Sequence, residues 1–200
     1  MSILESLYKL CLVLFTISLI LPGGEKYSFS KSTEDKSRGI LEISFDFKRQ
    51  GTIASNQYAV WIEDDKGKLI KTLYVTRYTA KGGYLYRKEC LPTWVEKAKP
   101  SSLTSTVIDA ITSATPSSGT QRYLWDGRDE GGNYVEPGRY RFYIEATLYW
   151  TNRVLYSGAF LYGGENQENI PITVKYFDGQ SNKDMIQNVK AKYISSKRRL

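Results

Sequence analysis

The stretch at residues 109–146 reads DAITSATPSSGTQRYLWDGRDEGGNYVEPGRYRFYIEA and contains the densest structural signal in the chain. Its second half places a Trp-Asp-Gly sequence at Trp125, a Gly-Gly pair and a Pro-Gly pair ahead of an alternating run, 139–146. Aspartate and glycine supply the side-chain-capped and left-handed positions that a tight turn needs. The sequence therefore predicts a polar turn that joins two strands as a hairpin, with Gly127 and Gly132 at positive φ.

The alternating run after this turn divides into two faces, as expected of a strand with a period of two. One face carries Tyr140, Phe142, Ile144 and Ala146, and the other carries Arg139, Arg141, Tyr143 and Glu145. The pattern predicts a strand with its aromatic and aliphatic face in the core.

Short segments that alternate apolar and polar residues recur along the rest of the chain. Aromatic residues make up 14% of the sequence, a composition that favours strands over helices. Short strands are predicted at Ile40–Phe47, Tyr58–Glu63, Leu69–Tyr78, Gln121–Trp125, Arg139–Tyr149, Arg153–Tyr162, Ile170–Tyr176 and 185–193, with a hairpin turn at Asp64–Gly67. This spacing predicts an all-β, immunoglobulin-like β-sandwich. The segment 84–99 is ambiguous and contains Pro92, which suits the first turn of one short helical insertion.

The N-terminus reads as a targeting segment. Leu10–Leu21 is almost entirely apolar, follows Lys9 and precedes a Pro-Gly-Gly sequence. It is short for a bilayer span and suits the core of a signal peptide, which is either cleaved or kept as an anchor. We expect residues 1–24 to be a signal peptide or anchor, 25–39 a linker and 40–200 the sandwich domain, in a periplasmic or otherwise extracytoplasmic protein.

Charge and composition exclude several functions. The net charge is +7, spread along the chain except for a basic cluster at 197–199, and no nucleic-acid motif accompanies it. The absence of histidine removes the commonest general base and metal ligand, which disfavours a hydrolase. Of the two cysteines, Cys11 lies in the apolar N-terminal run, so Cys90 is expected to be a buried thiol.

The stretch WDGRDEGGNYVEPGRYRFYIEA resembles the immunoglobulin-like domain of flagellar hook-capping proteins. Together with YAVWIEDDKGKLIKTL and the DAITSAT segment, it is closer to a family of predicted periplasmic proteins of unassigned function. The resemblance covers the chain from about Ile40 onward. It implies a fold and assigns no reaction.

Residues 109–115 (DAITSAT) resemble the flavin-attachment motif Asp-x-x-(Ser/Thr)-Gly-Ala-(Thr/Ser). That motif occurs in subunits of sodium-pumping quinone reductases and in related exported electron-transfer proteins. There, a FAD:protein FMN transferase cleaves FAD and links FMN through its phosphate to the last hydroxyl residue. The resemblance implies an acceptor, a leading carboxylate, an inner hydroxyl and a preceding small residue, which are Thr115, Asp109, Thr112 and Ala114. Ser113 departs from the pattern, which has glycine at that place.

The residues themselves suit such chemistry. A phosphoester needs an exposed hydroxyl on a segment slim enough to enter another enzyme's cleft, and small side chains surround Thr115. Residues 116–119 (PSSG) are expected to keep the segment outside the sheet. The resemblance further implies covalent FMN as cofactor and a membrane redox protein as electron-transfer partner. Stacking residues for the flavin ring would come from the aromatic set Trp61, Trp94, Trp125, Tyr84 and Tyr123.

Other interpretations stay open at this stage. The chain could be a non-redox interaction or assembly domain, as the hook-capping resemblance suggests. The DAITSAT match could be a chance loop in which Asp109 or Thr112 caps a short helix. The carboxylates Asp126, Asp129 and Glu130 lack the spacing of a calcium loop, so a structural turn is expected there.

Overall fold

The computed structural model describes residues 38–51, 56–113, 115–148, 152–177 and 185–196. They all belong to one compact unit, Asp35–Leu200. The described residues form nine strands: β1 Gly39–Phe47, β2 Gln57–Asp64, β3 Leu69–Thr76, β4 Thr112–Ser113, β5 Gly119–Trp125, β6 Gly138–Thr147, β7 Arg153–Tyr162, β8 Thr173–Phe177 and β9 Ile186–Ser195. The predicted signal segment, 1–24, and almost all of the predicted linker lie outside the described residues.

A run of short helical elements separates β3 from β4. It contains a π-helical turn at Thr79–Gly83 and a 3₁₀ turn at Pro100–Ser102. Three short α-helices complete it: α1 Tyr84–Tyr86, α2 Pro92–Ala98 and α3 Ser105–Ile111. Proline begins α2, as predicted, because a first-turn position needs no backbone donor.

The strands form two sheets, in the orders β5-β1-β9 and β4-β3-β2-β6-β7-β8. All pairings between these strands are antiparallel except that of β4 with β3. The predicted all-β, immunoglobulin-like sandwich is therefore confirmed. The Asp64–Gly67 hairpin is confirmed too, since Asp64 Oδ1 accepts hydrogen bonds from the backbone N–H of Lys66 and Lys68 at 3.0 and 2.8 Å.

The main core lies between the two sheets and is filled from alternate positions of each strand. In β1 the residues that face the core are Leu41, Ile43, Phe45 and Phe47, all buried. An aromatic cluster closes one end of this core and contains Trp125, Tyr140, Phe160, Tyr162 and Tyr193. Burying each such side chain contributes about 1.5–3 kcal/mol, which makes this core the main source of stability.

A second core lies on the other face of the six-stranded sheet, beneath the helical elements. Trp61 and Val75 of the sheet pack there with Leu91, Trp94 and Ile111. Because β2 is covered on both faces, its sequence YAVWI is continuously apolar rather than alternating.

A buried carboxylate attaches α2 to this face of the sheet. Glu145 accepts hydrogen bonds from the backbone N–H of Thr93 and Trp94 at 3.2 and 2.9 Å, and its Oε1 lies 2.7 Å from Arg153 Nε. Burial raises the pKa of Glu145, and these backbone donors and Arg153 oppose that rise. The sequence places Glu145 on the polar face of β6 correctly, but that position is buried because α2 covers it.

The stretch after Trp125 differs from the prediction in one respect. Its strands do not form a hairpin, because β5 pairs with β1 whereas β6 pairs with β2 and β7 in the other sheet. Residues 126–137 therefore carry the chain from one sheet to the other. The predicted positive φ angles are confirmed, at 88° for Gly127 and 81° for Gly132.

The carboxylates of this crossing segment accept hydrogen bonds from the backbone. Asp126 Oδ1 accepts from Arg128 N at 3.1 Å, and Asp129 Oδ1 accepts from Asn133 N at 2.9 Å. Glu130 Oε1 accepts from Thr72 N of β3 at 2.7 Å. The segment is thus a structural turn that also covers part of the β3 edge.

Candidate functional site

The DAITSAT segment folds as the end of α3 followed directly by β4. The helix begins after Thr104, whose Oγ1 accepts a hydrogen bond from Val107 N at 3.3 Å. Thr104 is therefore the N-terminal cap of α3. Of the two residues in the alternative interpretation, Thr112 is the C-terminal cap residue of this helix and Asp109 does not cap it. Asp109 lies in the last turn of the helix, and Thr112 is the first residue beyond it.

The hydroxyl residues follow at the edge of the six-stranded sheet. Thr112 pairs with Val75, and Ser113 pairs with Thr76, so the expectation that this segment stays outside the sheet is wrong for these two residues. No strand lies beyond β4 in the described part of the sheet. Ala114 lies outside the described residues. Thr115, which was expected to be exposed, is half-buried in the link that leads to β5.

Ser113, the one departure from the motif, is compatible with the backbone at this place. It lies in an extended strand and has no positive φ, so a glycine is not required here for conformational reasons. Burial raises the pKa of Tyr74, and the nearby Ser113 side chain opposes that rise. Ser113 therefore lies close to an aromatic residue of the main core.

Asp109 forms an ion pair across to the π-helical turn. Its Oδ1 lies 2.9 Å from Lys81 Nζ, and the carboxylate side chain is 60% exposed. The hydrogen bond from Lys81 and the charge of Lys81, with a smaller contribution from Arg77, hold the pKa of Asp109 below its usual range. The motif is therefore accompanied by two cationic side chains that the sequence did not connect with it.

A groove of about 430 Å³ lies beside this ion pair. Its lining comes from the π-helical turn, α1, the 3₁₀ turn and α3, and includes Lys81, Tyr84, Leu85, Leu103, Ser105 and Ile108. We call this the helical groove. Sequence analysis missed it because 80–83 reads as a loop, and its walls come from segments more than twenty residues apart. The only local signal was the apolar spacing within 84–99.

The aromatic candidates for stacking separate into two groups. Trp61, Trp94 and Trp125 are fully buried in the two cores, so the expectation that they meet a flavin ring is wrong. Tyr123 is half-buried, and its hydroxyl lies 2.7 Å from the Tyr58 hydroxyl. Tyr84 is half-buried in the wall of the helical groove, next to the motif.

Two further properties of the described residues concern membrane-spanning helices and the free cysteine. No helix there is long and apolar enough to cross a membrane. Cys90 is buried with its thiol free, as predicted, and burial raises the pKa of that thiol.

A family model described as "Predicted periplasmic protein (DUF2271)" matches residues 40–175. No curated protein matches the chain, and neither does any solved structure. The match covers the sandwich from β1 into β8, including the helical groove and the DAITSAT segment.

Proposed function

The chain belongs to this family of predicted periplasmic proteins, and we propose that it is an exported electron-transfer module that carries FMN linked through its phosphate to Thr115. The single observation that carries the proposal is the position of the motif. Asp109 is exposed on the last turn of α3, Thr112 lies on an edge strand, and Thr115 is in the link that follows.

This position suits modification by a second enzyme. A FAD:protein FMN transferase must bring the acceptor hydroxyl to a phosphate within its own cleft. In the described part of the six-stranded sheet β4 is the edge strand, and edge strands are places where an extended segment of another protein can add to a sheet. Thr115 is half-buried in the link, so part of its surface faces solvent.

The residues near the motif also fit the cofactor. Arg77 and Lys81 are cationic groups close enough to lower the pKa of Asp109, and they suit a phosphoester with its negative charge. A covalent link is useful in an extracytoplasmic compartment, where a free cofactor would be lost by diffusion. FMN would supply the redox chemistry, and the protein would hold the cofactor and adjust its properties.

We further propose that the electron-transfer partner is a membrane redox protein. The net charge of +7 favours association with an anionic protein or membrane surface. The whole module would then act as a carrier that a separate enzyme reduces or oxidises.

The test is co-expression of the full chain with a FAD:protein FMN transferase that modifies a known carrier in the same cells. The protein should be yellow, its intact mass should rise by one FMN less one water, and the adduct should lie on a peptide that contains Thr115. Thr115→Val keeps the shape of the side chain and removes the nucleophilic oxygen, so it should abolish labelling. Thr106→Val is the matched control, because Thr106 is an exposed threonine of α3 outside the motif.

Two further variants test recognition. Asp109→Asn should reduce labelling, because the transferase is expected to use the carboxylate charge. Ser113→Gly restores the family pattern and should be labelled at least as well as the parent. Labelling that survives Thr115→Val would move the site, with Thr112 the next hydroxyl to examine. A parent protein that takes no flavin, while the known carrier does, would contradict the proposal.

A non-redox interaction or assembly domain is the second candidate function. The observation that favours it is a set of exposed apolar side chains just before the π-helical turn and in α1. Leu85 is 67% exposed, Tyr86 87% and Tyr78 48%. Apolar residues clustered on a surface often mark a protein contact. If the chain takes no flavin, this surface would be the first place to look for a partner.

A further inference from the structure

The helical groove has the composition of a ligand site rather than of an ordinary surface depression. Its volume is about 430 Å³, within the range of about 300–1,000 Å³ typical of small-molecule sites. Apolar walls from Leu85, Leu103 and Ile108 surround it, with an aromatic ring from Tyr84 and a cation from Lys81. Such sites are mostly apolar, with a few polar groups that fix orientation.

The groove is also incomplete as the protein stands alone. Leu85 lines it and leaves 67% of its surface in water. A flat apolar group in the groove would remove part of this surface from water, which is favourable in proportion to the area covered.

The fold connects the groove with the flavin-attachment motif in two ways. Helix α3 supplies Ser105 and Ile108 to the groove wall and, on its next residue, Asp109 to the ion pair with Lys81. Strand β4 runs parallel to β3, so the chain leaves β4 in the direction in which β3 enters the π-helical turn. That turn supplies Ala80 and Lys81 to the groove. The motif and the groove therefore share one helix and one cation.

We infer that the helical groove is the docking site for the isoalloxazine ring of the flavin carried on Thr115, and that Lys81 at its rim stabilises the reduced ring. This inference rests on the proposed function. The ribityl phosphate of FMN separates the attachment oxygen from the ring, so the ring is bound away from Thr115 itself. Tyr84 and Leu85 hold the ring, and Lys81 supplies positive charge beside it.

The charge at the rim has a definite electrostatic consequence. A reduced flavin ring carries more negative charge than an oxidised one, and a nearby cation favours the more negative state. Lys81 also forms an ion pair with Asp109, and the negative charge of Asp109 offsets part of this effect. Removing Lys81 should therefore lower the reduction potential, whereas removing only the Asp109 charge should raise it.

The test uses the full chain after labelling, with intact mass measured first and flavin fluorescence second. In the parent, the fluorescence should be quenched by the Tyr84 phenol and its anisotropy should be close to that of the whole protein. Leu85→Asp replaces apolar contact area in the groove wall with a charged group. It should therefore lower the ratio of docked to undocked flavin ring about tenfold or more. Tyr86→Asp is the matched control, because the Tyr86 side chain is 87% exposed and does not line the groove.

Two further variants test the contact of the ring with Tyr84 and the charge of Lys81 separately. Tyr84→Leu keeps apolar bulk and removes the phenol, so fluorescence should rise while anisotropy stays high. Lys81→Gln should lower the midpoint potential, and a tenfold loss in stabilisation of the two-electron-reduced ring corresponds to about 30 mV.

The outcomes distinguish this inference from the proposed function. A labelled parent with a freely rotating ring, or a Leu85→Asp variant no different from Tyr86→Asp, overturns the docking site and leaves the carrier function standing. A parent that takes no flavin overturns both. Quenched fluorescence in the parent that Leu85→Asp releases and Tyr86→Asp does not supports the inference.

Discussion

Gly127 and Gly132 have nearly the same backbone conformation but different surroundings, and alanine at the two positions should therefore differ in cost. Both have positive φ, at 88° and 81°. A Cβ added at Gly127 would overlap the Tyr162 hydroxyl oxygen and the ring carbon that bears it. A Cβ added at Gly132 meets no atom within 4 Å.

The magnitudes follow from these two situations. Gly132→Ala should lose only the cost of a left-handed conformation, about 1–2 kcal/mol. Gly127→Ala should lose the same amount and, in addition, about 1–3 kcal/mol for overpacking. The Tyr162 ring is fully buried against Trp125 and Tyr193, with ring centroids 5.2 and 6.0 Å apart, so it has little room to move away.

Urea unfolding at equilibrium is the appropriate assay, because the two variants should shift the midpoint without changing the slope. Gly51→Ala is the control, since Gly51 lacks a positive φ and a Cβ there meets no atom within 4 Å. It should be neutral or stabilise by up to about 1 kcal/mol. Equal losses for Gly127→Ala and Gly132→Ala would refute the close approach to Tyr162.

The remaining predictions concern anchoring, ionisation, the motif and export. Glu145→Gln should destabilise the protein by about 3 kcal/mol, since it breaks a buried ion pair, and hydrogen exchange should show the loss first in α2. The carboxyl of Asp109 should titrate below its usual pKa by carbon-detected NMR and return toward it in Lys81→Gln. Because the pKa of Asp109 is lowered in the folded state, the ionised carboxylate stabilises the fold at neutral pH, and this stabilisation is lost as the pH falls through the folded-state pKa. A titration of Asp109 that is unchanged in Lys81→Gln would disprove the ion pair. Ser113→Gly should lower the melting temperature through the added backbone freedom of glycine in a strand, even where labelling is maintained. Residues 1–39 fused to a reporter active only outside the cytoplasm should give signal, and a silent reporter would contradict export.

The elements that sequence analysis identified well are those whose signal is local. Alternation in 40–47 and 153–162 reflects strands with one face in the main core, and such strands are found where predicted. The same holds for the positive φ of Gly127, because a tight turn restricts the backbone over only a few residues. The DAITSAT motif is likewise visible without a structure, since it depends on residue types at fixed spacing.

The elements that sequence analysis missed depend on contacts between distant segments. The turn after Trp125 has the residues of a hairpin, but the sheet that each flanking strand joins depends on its pairing partners. Strand β5 pairs with β1, whereas β6 pairs with β2 and β7. Three tryptophans looked suitable for stacking, yet they are buried because the helical elements and the second sheet cover them.

Local patterns alone were therefore enough to predict a strand-rich fold and the positions of most strands, and to reveal the resemblance of DAITSAT to a flavin-attachment motif. Only the tertiary structure decided that α2 covers Glu145, that Lys81 pairs with Asp109, and that segments far apart in the chain form the groove beside the motif. The physical reason is that periodicity and turn chemistry act over a few residues. Ion pairs and cavities, in contrast, depend on which surfaces the packed sheets and helices bring together.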